Sequence, residues 1–195
     1  MLVNGDLVQF DYAPDYKYCQ SDVTRIFLAT GKFTPKQREA YAIYLKLYQA
    51  LMTSIKAHIT PAEVVTAAVA KMDAIMTSYT FTDDHIKSAA MKVVEGYRRQ
   101  QTTARGLGHT VGMDVHDVGG LGGTTLEPGR IFTIEPEMRI EEEHTGFRLE
   151  DMLLITDTGY ENLSAFVPID IAAIEKLMAE PSLSAAMKRI KGFNR

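Results

Sequence analysis

Hydrophobic and polar positions follow three different patterns along the chain. Apolar residues at positions 7–10 and 23–28 flank a turn region at 13–18 that contains Pro, Asp, Tyr and Lys, which predicts a β-hairpin turning near Tyr16-Lys17. Between positions 34 and 100 the apolar residues recur every three to four positions, which predicts three helices. Beyond Gln101 the chain is first rich in glycine and then strand-like.

The three predicted helices have clear starting signals. The first begins at Thr34-Pro35, and the second begins at Thr60-Pro61-Ala62-Glu63, a capping box with proline at the first helical position. The third is predicted over residues 83–100. The predicted buried positions are, helix by helix, Tyr41, Tyr44, Leu45, Tyr48, Met52 and Ile55; Val65, Ala68, Val69, Met72 and Met76; and Ile86, Ala90, Val93 and Tyr97.

The second half of the chain is predicted to contain loops, strands and one more helix. Residues 106–129 include eight glycines, which is too many for a helix. Two strand-like runs follow at 130–140 and 147–156, joined by an acidic turn, and a final helix is predicted from near Asp170 to before Pro181. This order is an α+β pattern, which we expect to form one domain over residues 1–180 with a tail at 181–195.

Composition narrows the function classes. The 195 residues are 46% hydrophobic, with 25 acidic against 21 basic side chains, so the chain has enough apolar surface for a core and too little net charge for disorder. The absence of a basic cluster predicts no nucleic-acid partner, and no apolar run is long enough for a membrane span. The single cysteine, Cys19, and the lack of a secretory signal predict a cytoplasmic protein in which Cys19 is not a nucleophile.

Two aspartates and two histidines are the first candidates for chemistry. Asp11 and Asp22 are predicted to lie opposite each other on the hairpin, where two carboxylates repel unless a cation lies between them. His109 is flanked by glycines that permit close approach of a ligand, and His116 follows in the same loop. Neutral imidazole is a common metal ligand. Taken alone, the aspartates are better explained as ordinary surface acids.

Two glutamates on the later strand-like runs complete the set. Glu135 lies among apolar neighbours, where an ionised side chain needs a partner, and strand alternation places Arg148 and Glu150 on one face. Each could be a plain salt-bridged strand residue. Together, however, four carboxylates and one imidazole suit two divalent cations such as Mn²⁺, Fe²⁺ or Co²⁺. Two such ions would lower the pKa of a bridging water and polarise a carbonyl.

Four sequence motifs carry a family resemblance. The segments FDYAPDY…SDVTR, GLGHTVGMDVHDVG, LEPGRIFTIEPE and FRLEDMLLITDTGYENLS resemble peptidase family M24, and most of all its Xaa-Pro aminopeptidase/prolidase branch. The SDVTR and VHD elements favour this branch over methionine aminopeptidases. The resemblance implies a pita-bread fold, in which two similar αβ halves face a dinuclear metal centre, so residues 1–180 would be a metallopeptidase catalytic domain.

The resemblance also implies a ligand set. Asp11 would chelate one ion, His109 and Glu135 the other, and Asp22 and Glu150 would bridge both. The expected cofactor is a pair of divalent ions, Mn²⁺ first, with Co²⁺, Fe²⁺ or Zn²⁺ as alternatives. The expected substrates are proline-containing peptides or dipeptides, cleaved when a metal-bridging hydroxide attacks the bond that precedes proline.

Three residues have implied catalytic roles beside the metals. His116 would bind or protonate the substrate, Glu135 would also shuttle a proton, and Arg148 would support the bridging carboxylates. The other histidines, His58, His85 and His144, are predicted to be ordinary helix or loop residues. These assignments rest on the resemblance rather than on the spacing of the residues.

The start of the chain departs from the family pattern. Family members place helices, strands and a substrate-side histidine ahead of the first metal-ligand strand, whereas Asp11 comes ten residues after Met1. We therefore expect an N-terminally incomplete pita-bread fold whose open strands and apolar surface are covered by a second copy, giving a homodimer, or by a partner chain.

Three other interpretations stay open at this point. The chain could be a catalytically incomplete fragment or a subunit that needs a longer partner, which its short beginning favours. It could be a non-catalytic pita-bread module that binds peptides or proteins. It could also be a metal-independent relative that acts on an amidine-type substrate, as creatinases do. The intact set of five ligands argues against the last two.

Overall fold

The computed structural model describes residues 1–101 and 107–181, so all but the first residue of the tail predicted over 181–195 lies outside the described residues. The described elements follow the predicted α+β order. They are β1 (Leu7–Tyr12), β2 (Asp15–Tyr16), β3 (Cys19–Gln20), β4 (Val23–Leu28), α1 (Pro35–Met52), α2 (Pro61–Ser78), α3 (Asp84–Gln100), β5 (Ile131–Ile134), β6 (Glu137–Ile140), a 3₁₀ turn (Glu141–Glu143), β7 (Thr145–Arg148), β8 (Asp151–Thr156), β9 (Gly159–Asn162) and α4 (Ile171–Met178).

The predicted first hairpin is present, but its register differs from the expected one. Strands β1 and β4 pair antiparallel with Asp11 opposite Thr24, and β2 and β3 pair separately, in the same register, nearer the turn. The turn is formed by Lys17 and Tyr18, which both have positive φ (51° and 67°), as a two-residue hairpin turn requires. The prediction that Asp11 lies directly opposite Asp22 was therefore wrong, because the turn is centred one residue later.

The three predicted helices begin within one residue of their predicted starts. Thr34 and Thr60 each form a complete capping box, and the Asp83 carboxylate caps α3. Ile55 is buried although it lies beyond the end of α1. Most of the predicted stripe positions are in the core, while three of them are only partly buried: Leu45, Met76 and Tyr97.

The two later strand-like runs are interrupted rather than continuous. The first breaks at Glu135-Pro136, between β5 and β6, and the second breaks at Leu149-Glu150, between β7 and β8. Strand β5 pairs with β8 and β6 pairs with β7 in one register, so the two breaks face each other. Pro136 has no backbone N–H, so it cannot donate to a ladder at this point.

Glu150 joins this broken hairpin to the first hairpin. Its backbone N–H donates to Thr24 O at 3.0 Å, and the Thr24 N–H donates to Glu150 O at 3.3 Å. Strand β9, which the sequence pattern did not predict, covers the other edge of β8. Helix α2 packs against α1 and α3, helix α3 packs against β6, and all three contribute to one core with the strands. In the described ranges, none of the helices combines the length and apolar composition that crossing a membrane requires.

Candidate metal centre

The structure brings the five predicted ligand residues together. In one group, ligand atoms of Asp11, Asp22 and Glu150 lie within 4.8 Å of one another, and in another group those of His109, Glu135 and Glu150 do so. Glu150 belongs to both groups. A residue common to two neighbouring groups of ligand atoms has the position that a bridging carboxylate would need.

The two hairpins bring the four carboxylates together. Asp11 lies near the end of β1 and Asp22 immediately precedes β4, on the neighbouring strand of the hairpin. Glu135 and Glu150 lie at the two facing breaks of the later hairpin. Asp22, Glu135 and Glu150 therefore lie next to a strand end or in a break, whereas Asp11 is paired with Thr24 in the ladder.

The His109 ring is held by its loop with one nitrogen directed at the carboxylates. Its Nδ1 lies 3.2 Å from Thr110 O, which leaves Nε2 at 3.4 Å from Asp22 Oδ2 and 3.4 Å from Glu135 Oε1. Gly108 has a φ of +132°, and a Cβ there would lie 2.1 Å from Thr133 O. Only glycine therefore fits at this position, which lets the His109 backbone lie against β5.

Arg148 and Thr24 surround the carboxylates on the side of the first hairpin. The Arg148 guanidinium pairs with Asp11, lies 3.8 Å from Glu135 Oε2 and donates to Thr24 Oγ1 at 3.2 Å. The Thr24 hydroxyl in turn donates to Glu150 Oε2 at 2.8 Å. Sequence reasoning missed Thr24, although its place two residues after Asp22 on the same strand face was an available signal.

Three polar atoms at the centre of this cluster are buried without a hydrogen-bond partner among the described residues. They are Asp22 Oδ1, His109 Nε2 and Glu150 Oε1. Buried polar atoms are costly unless they are paired. Carboxylate oxygens with one imidazole nitrogen form a donor set that Mn²⁺, Fe²⁺ or Co²⁺ accepts well. The residues present therefore fit bound divalent cations.

Burial and mutual repulsion change the acidity of two of the carboxyl groups. Burial is the main cause that raises the pKa of Glu150 to about 8; the nearby Glu135 and Asp22 charges act in the same direction, and the Thr24 hydrogen bond opposes them. Burial and then the Asp11 charge raise the pKa of Asp22. In a metal-free chain, Glu150 would therefore hold a proton at neutral pH.

The stability of the metal-free chain should fall as the pH rises from about 4.5 to about 8. The folded-state pKa of Glu150 is about 8 and its ordinary value is 4.5, so within this range the folded chain holds a proton that the unfolded chain has released. Rising pH then favours unfolding. Urea unfolding with a chelator present, at several pH values, measures the effect. Glu150→Gln should weaken this dependence of stability on pH. If the stability of the unmodified chain and of Glu150→Gln both rise with pH through this range, the account is contradicted.

His116 lies beside the cluster but is open to solvent. Its ring stacks on the His109 ring with 3.9 Å between centroids and 23° between planes. The loop that carries it is fixed by Asp117, whose carboxylate accepts hydrogen bonds from the Met113 and Val118 N–H groups at 2.9 and 2.7 Å. Gly112 gives this carboxylate room, since a Cβ there would lie 2.0 Å from Asp117 Oδ2.

The other histidines lie outside the cluster. His58 contacts Glu127 at 3.1 Å, His85 lies 3.8 Å from Glu143, and His144 follows the 3₁₀ turn in a left-handed conformation. Asp83, His85 and Glu143 form a further acidic group, but the Lys36 ammonium already pairs with both of its carboxylates.

Comparison with known proteins shows the family to which the chain is similar. The profile of Metallopeptidase family M24 matches residues 1–157. Xaa-Pro aminopeptidase of Escherichia coli K12 is 35% identical over 186 residues, which cover 90% of this chain and 41% of the relative. Xaa-Pro dipeptidase of Pongo abelii is 27% identical over an alignment of 219 positions, which covers 91% of this chain and 43% of the relative.

A solved structure gives the same result for the fold. Proline aminopeptidase P II from Yersinia pestis superposes with a TM-score of 0.70 at 33% identity, covering 91% of this chain and 43% of that one. The chain thus spans about two fifths of the length of the relatives that it matches. Over that part it has the fold of aminopeptidase P, and it belongs to metallopeptidase family M24.

Proposed function

We propose that this chain holds two divalent metal ions and hydrolyses the peptide bond that precedes proline, releasing the N-terminal residue. The observation that carries the proposal is the convergence of four carboxylates and one imidazole, with Glu150 common to both groups of ligand atoms. The relatives named for Xaa-Pro aminopeptidase and Xaa-Pro dipeptidase activity support proline-containing peptides or dipeptides as the substrate class.

The two groups support the ligand roles we propose. Asp11 would hold one ion, His109 and Glu135 the other, and Glu150, which is in both groups, would contact both. Asp22 is in the first group and its Oδ2 lies 3.4 Å from His109 Nε2 of the second, so it too would contact both ions. Mn²⁺ is the ion we propose first, because the donor set is mostly oxygen with a single nitrogen; Co²⁺, Fe²⁺ and Zn²⁺ are alternatives. Bound there, the ions would supply Lewis-acid chemistry, polarising the scissile carbonyl and making water more acidic.

The chain's own residues would handle protons and orientation. His116 is exposed beside His109, so it can reach a substrate and donate or accept a proton at its free ring nitrogen. Glu135 is only partly buried, which suits a carboxylate that exchanges a proton with water as well as binding metal. Arg148 would hold the Asp11 carboxylate in place through its ion pair.

A cavity next to the cluster offers room for the substrate. It has a volume of about 600 Å³ and lies between α3 and the strand break, with His109, His116 and Glu135 on one wall and Gly96 and Tyr97 on the other. Gly96 lies inside a helix, where glycine is unfavourable, and a Cβ there would meet no atom within 4 Å. Its lack of a side chain therefore enlarges the cavity.

Two substitutions at Gly96 should separate helix stability from substrate access. Gly96→Ala should stabilise the chain by about 0.5–1 kcal/mol, because alanine favours the helix, and should leave hydrolysis nearly unchanged. Gly96→Phe should extend into the cavity and raise KM about tenfold, a loss of about 1.4 kcal/mol of binding. Thermal unfolding and steady-state kinetics measure the two effects. Equal KM values in both variants would show that substrate does not enter this cavity.

The test of the proposed function is hydrolysis of matched peptides after Mn²⁺ is added. One tripeptide has proline at its second position and the other has alanine there, and an Xaa-Pro dipeptide serves as a third substrate. We expect release of the N-terminal residue from the proline peptides only, and no release with a chelator present. Metal binding without cleavage of any of the three peptides would contradict the proposed activity of this chain by itself.

An exposed apolar groove favours a second candidate, a subunit that is active only when another chain covers it. Phe10, Tyr12 and Phe166 are 57%, 66% and 83% exposed and lie around a groove of about 560 Å³ between the first hairpin and the segment after β9. Large exposed apolar patches mark interaction surfaces. A second copy is the occupant we propose, a partner chain being the alternative, and light scattering of the purified chain distinguishes a dimer from a monomer.

A further inference from the structure

Three buried tyrosines lie on α1, and two of them, Tyr44 and Tyr48, direct their hydroxyl groups at the segments that carry predicted metal ligands. Tyr41, Tyr44 and Tyr48 follow one another at helical spacing, and each is at most 1% exposed. Each hydroxyl has a hydrogen-bond partner outside the helix. Two of these partners lie beside predicted metal ligands, whereas the partner of Tyr41 is the remote Ile169 carbonyl, at 2.8 Å.

Tyr44 occupies the gap in the broken hairpin. The register of the flanking strands places Pro136 opposite Leu149, but Pro136 has no N–H with which to pair. The Tyr44 hydroxyl accepts a hydrogen bond from the Leu149 N–H at 2.5 Å and donates one to Pro136 O at 2.7 Å. This hydroxyl therefore provides the hydrogen-bond partners that the Leu149 N–H and the Pro136 carbonyl lack where the ladder is broken beside Glu135 and Glu150.

Tyr48 acts on the other side of Glu150. Its hydroxyl donates to the Asp151 carboxylate, which also accepts from Arg25 Nη2 at 2.5 Å. Arg25 Nη1 then donates to the backbone oxygens of Glu150, at 2.6 Å, and Thr24, at 2.9 Å. The two residues that flank Glu150 are thus both tied to α1, and its own carbonyl is tied to the same network.

We propose that Tyr44 and Tyr48 are positioning residues that set the metal affinity of the cluster by fixing Leu149 and Asp151 on either side of Glu150. Neither hydroxyl is hydrogen-bonded to the side chain of a predicted ligand, so each acts through the backbone and through Asp151. The inference rests on the proposed function, because it assumes that Glu150 binds metal. Residues that orient metal ligands in this way commonly change metal affinity about 10- to 100-fold.

Tyrosine-to-phenylalanine substitutions test this inference with a matched control on the same helix. Tyr44→Phe and Tyr48→Phe each remove one hydroxyl, and we expect each to weaken Mn²⁺ binding, measured by calorimetric titration, about tenfold or more. Tyr41→Phe removes an equally buried hydroxyl from the same helix and should leave Mn²⁺ affinity unchanged. Circular dichroism and thermal unfolding of the metal-free variants establish that each is folded.

Hydrogen exchange of the metal-free chain gives a readout that needs no metal. The Leu149 amide loses its acceptor in Tyr44→Phe, so its exchange should be faster there and unchanged in Tyr41→Phe. If Tyr44→Phe does not fold, Tyr48→Phe decides, because Asp151 keeps the Arg25 and Ser164 donors.

The possible results separate this inference from the proposed function. Mn²⁺ binding by the unmodified chain, with equal affinity in Tyr44→Phe and Tyr48→Phe, would overturn the positioning role and leave the proposed function intact. No Mn²⁺ binding by the unmodified chain would overturn the proposed metal centre itself, and the positioning role with it.

Discussion

Glu150→Gln is expected to weaken Mn²⁺ binding by more than about 100-fold and to abolish hydrolysis. The amide keeps the size of the side chain and can still accept from Thr24, but it removes the negative charge common to both groups of ligand atoms. Residues that merely orient ligands already change affinity about 10- to 100-fold, so loss of a ligand charge should cost more. Calorimetric titration with Mn²⁺ measures the change.

A matched variant separates the loss of the Glu150 ligand from the loss of one negative charge elsewhere on the chain. Glu161→Gln alters an exposed glutamate on β9 with the same change in charge, and it should bind Mn²⁺ like the unmodified chain. Equal Mn²⁺ affinity in the Glu150 and Glu161 variants would mean that Glu150 is not a ligand. The two groups of ligand atoms would then lack the residue that links them.

His116→Ala is expected to leave the metal content unchanged and to lower the turnover rate about 10²- to 10⁴-fold, the range typical of a group that transfers a proton. Its ring lies against His109 on the solvent side of the cluster, where a substrate would enter. Elemental analysis and hydrolysis of a proline tripeptide measure metal content and turnover on the same sample.

The geometry also allows the opposite role, which this variant distinguishes. A nitrogen of His116 lies within 4.8 Å of ligand atoms of Asp22 and His109, so His116 could itself be a ligand. Loss of metal in His116→Ala would overturn the substrate-side role. His85→Ala, which removes an exposed histidine from the first turn of α3, should change neither metal content nor turnover.

The parts of the fold that depend on local sequence could be predicted. The starts of α1 and α2 follow from capping boxes at Thr34 and Thr60, which are formed by residues three positions apart. The hairpin was predicted because its signals are also local, but the predicted turn was one residue too early. Lys17 and Tyr18 form the turn in left-handed conformations that residues other than glycine rarely adopt.

The parts that depend on long-range contacts could not be predicted. Alternation makes residues 130–140 look like one strand, and the break at Pro136 becomes stable because the Tyr44 hydroxyl, 92 residues away in sequence, takes the place of the ladder. The bridge between Thr24 and Glu150 spans 126 residues in the same way. The family motifs predicted five ligand residues and the supporting Arg148, whereas the contacts of Tyr44, Tyr48 and Arg25 around Glu150 are visible only in the structure.

The metal content of the chain tests the central claim most directly. The purified chain is incubated with Mn²⁺, unbound metal is removed, and manganese and protein are quantified by elemental mass spectrometry and absorbance. Because the ligand atoms form two groups that have Glu150 in common, we predict two manganese ions per chain. A chain that is folded by circular dichroism but retains no manganese would contradict the account.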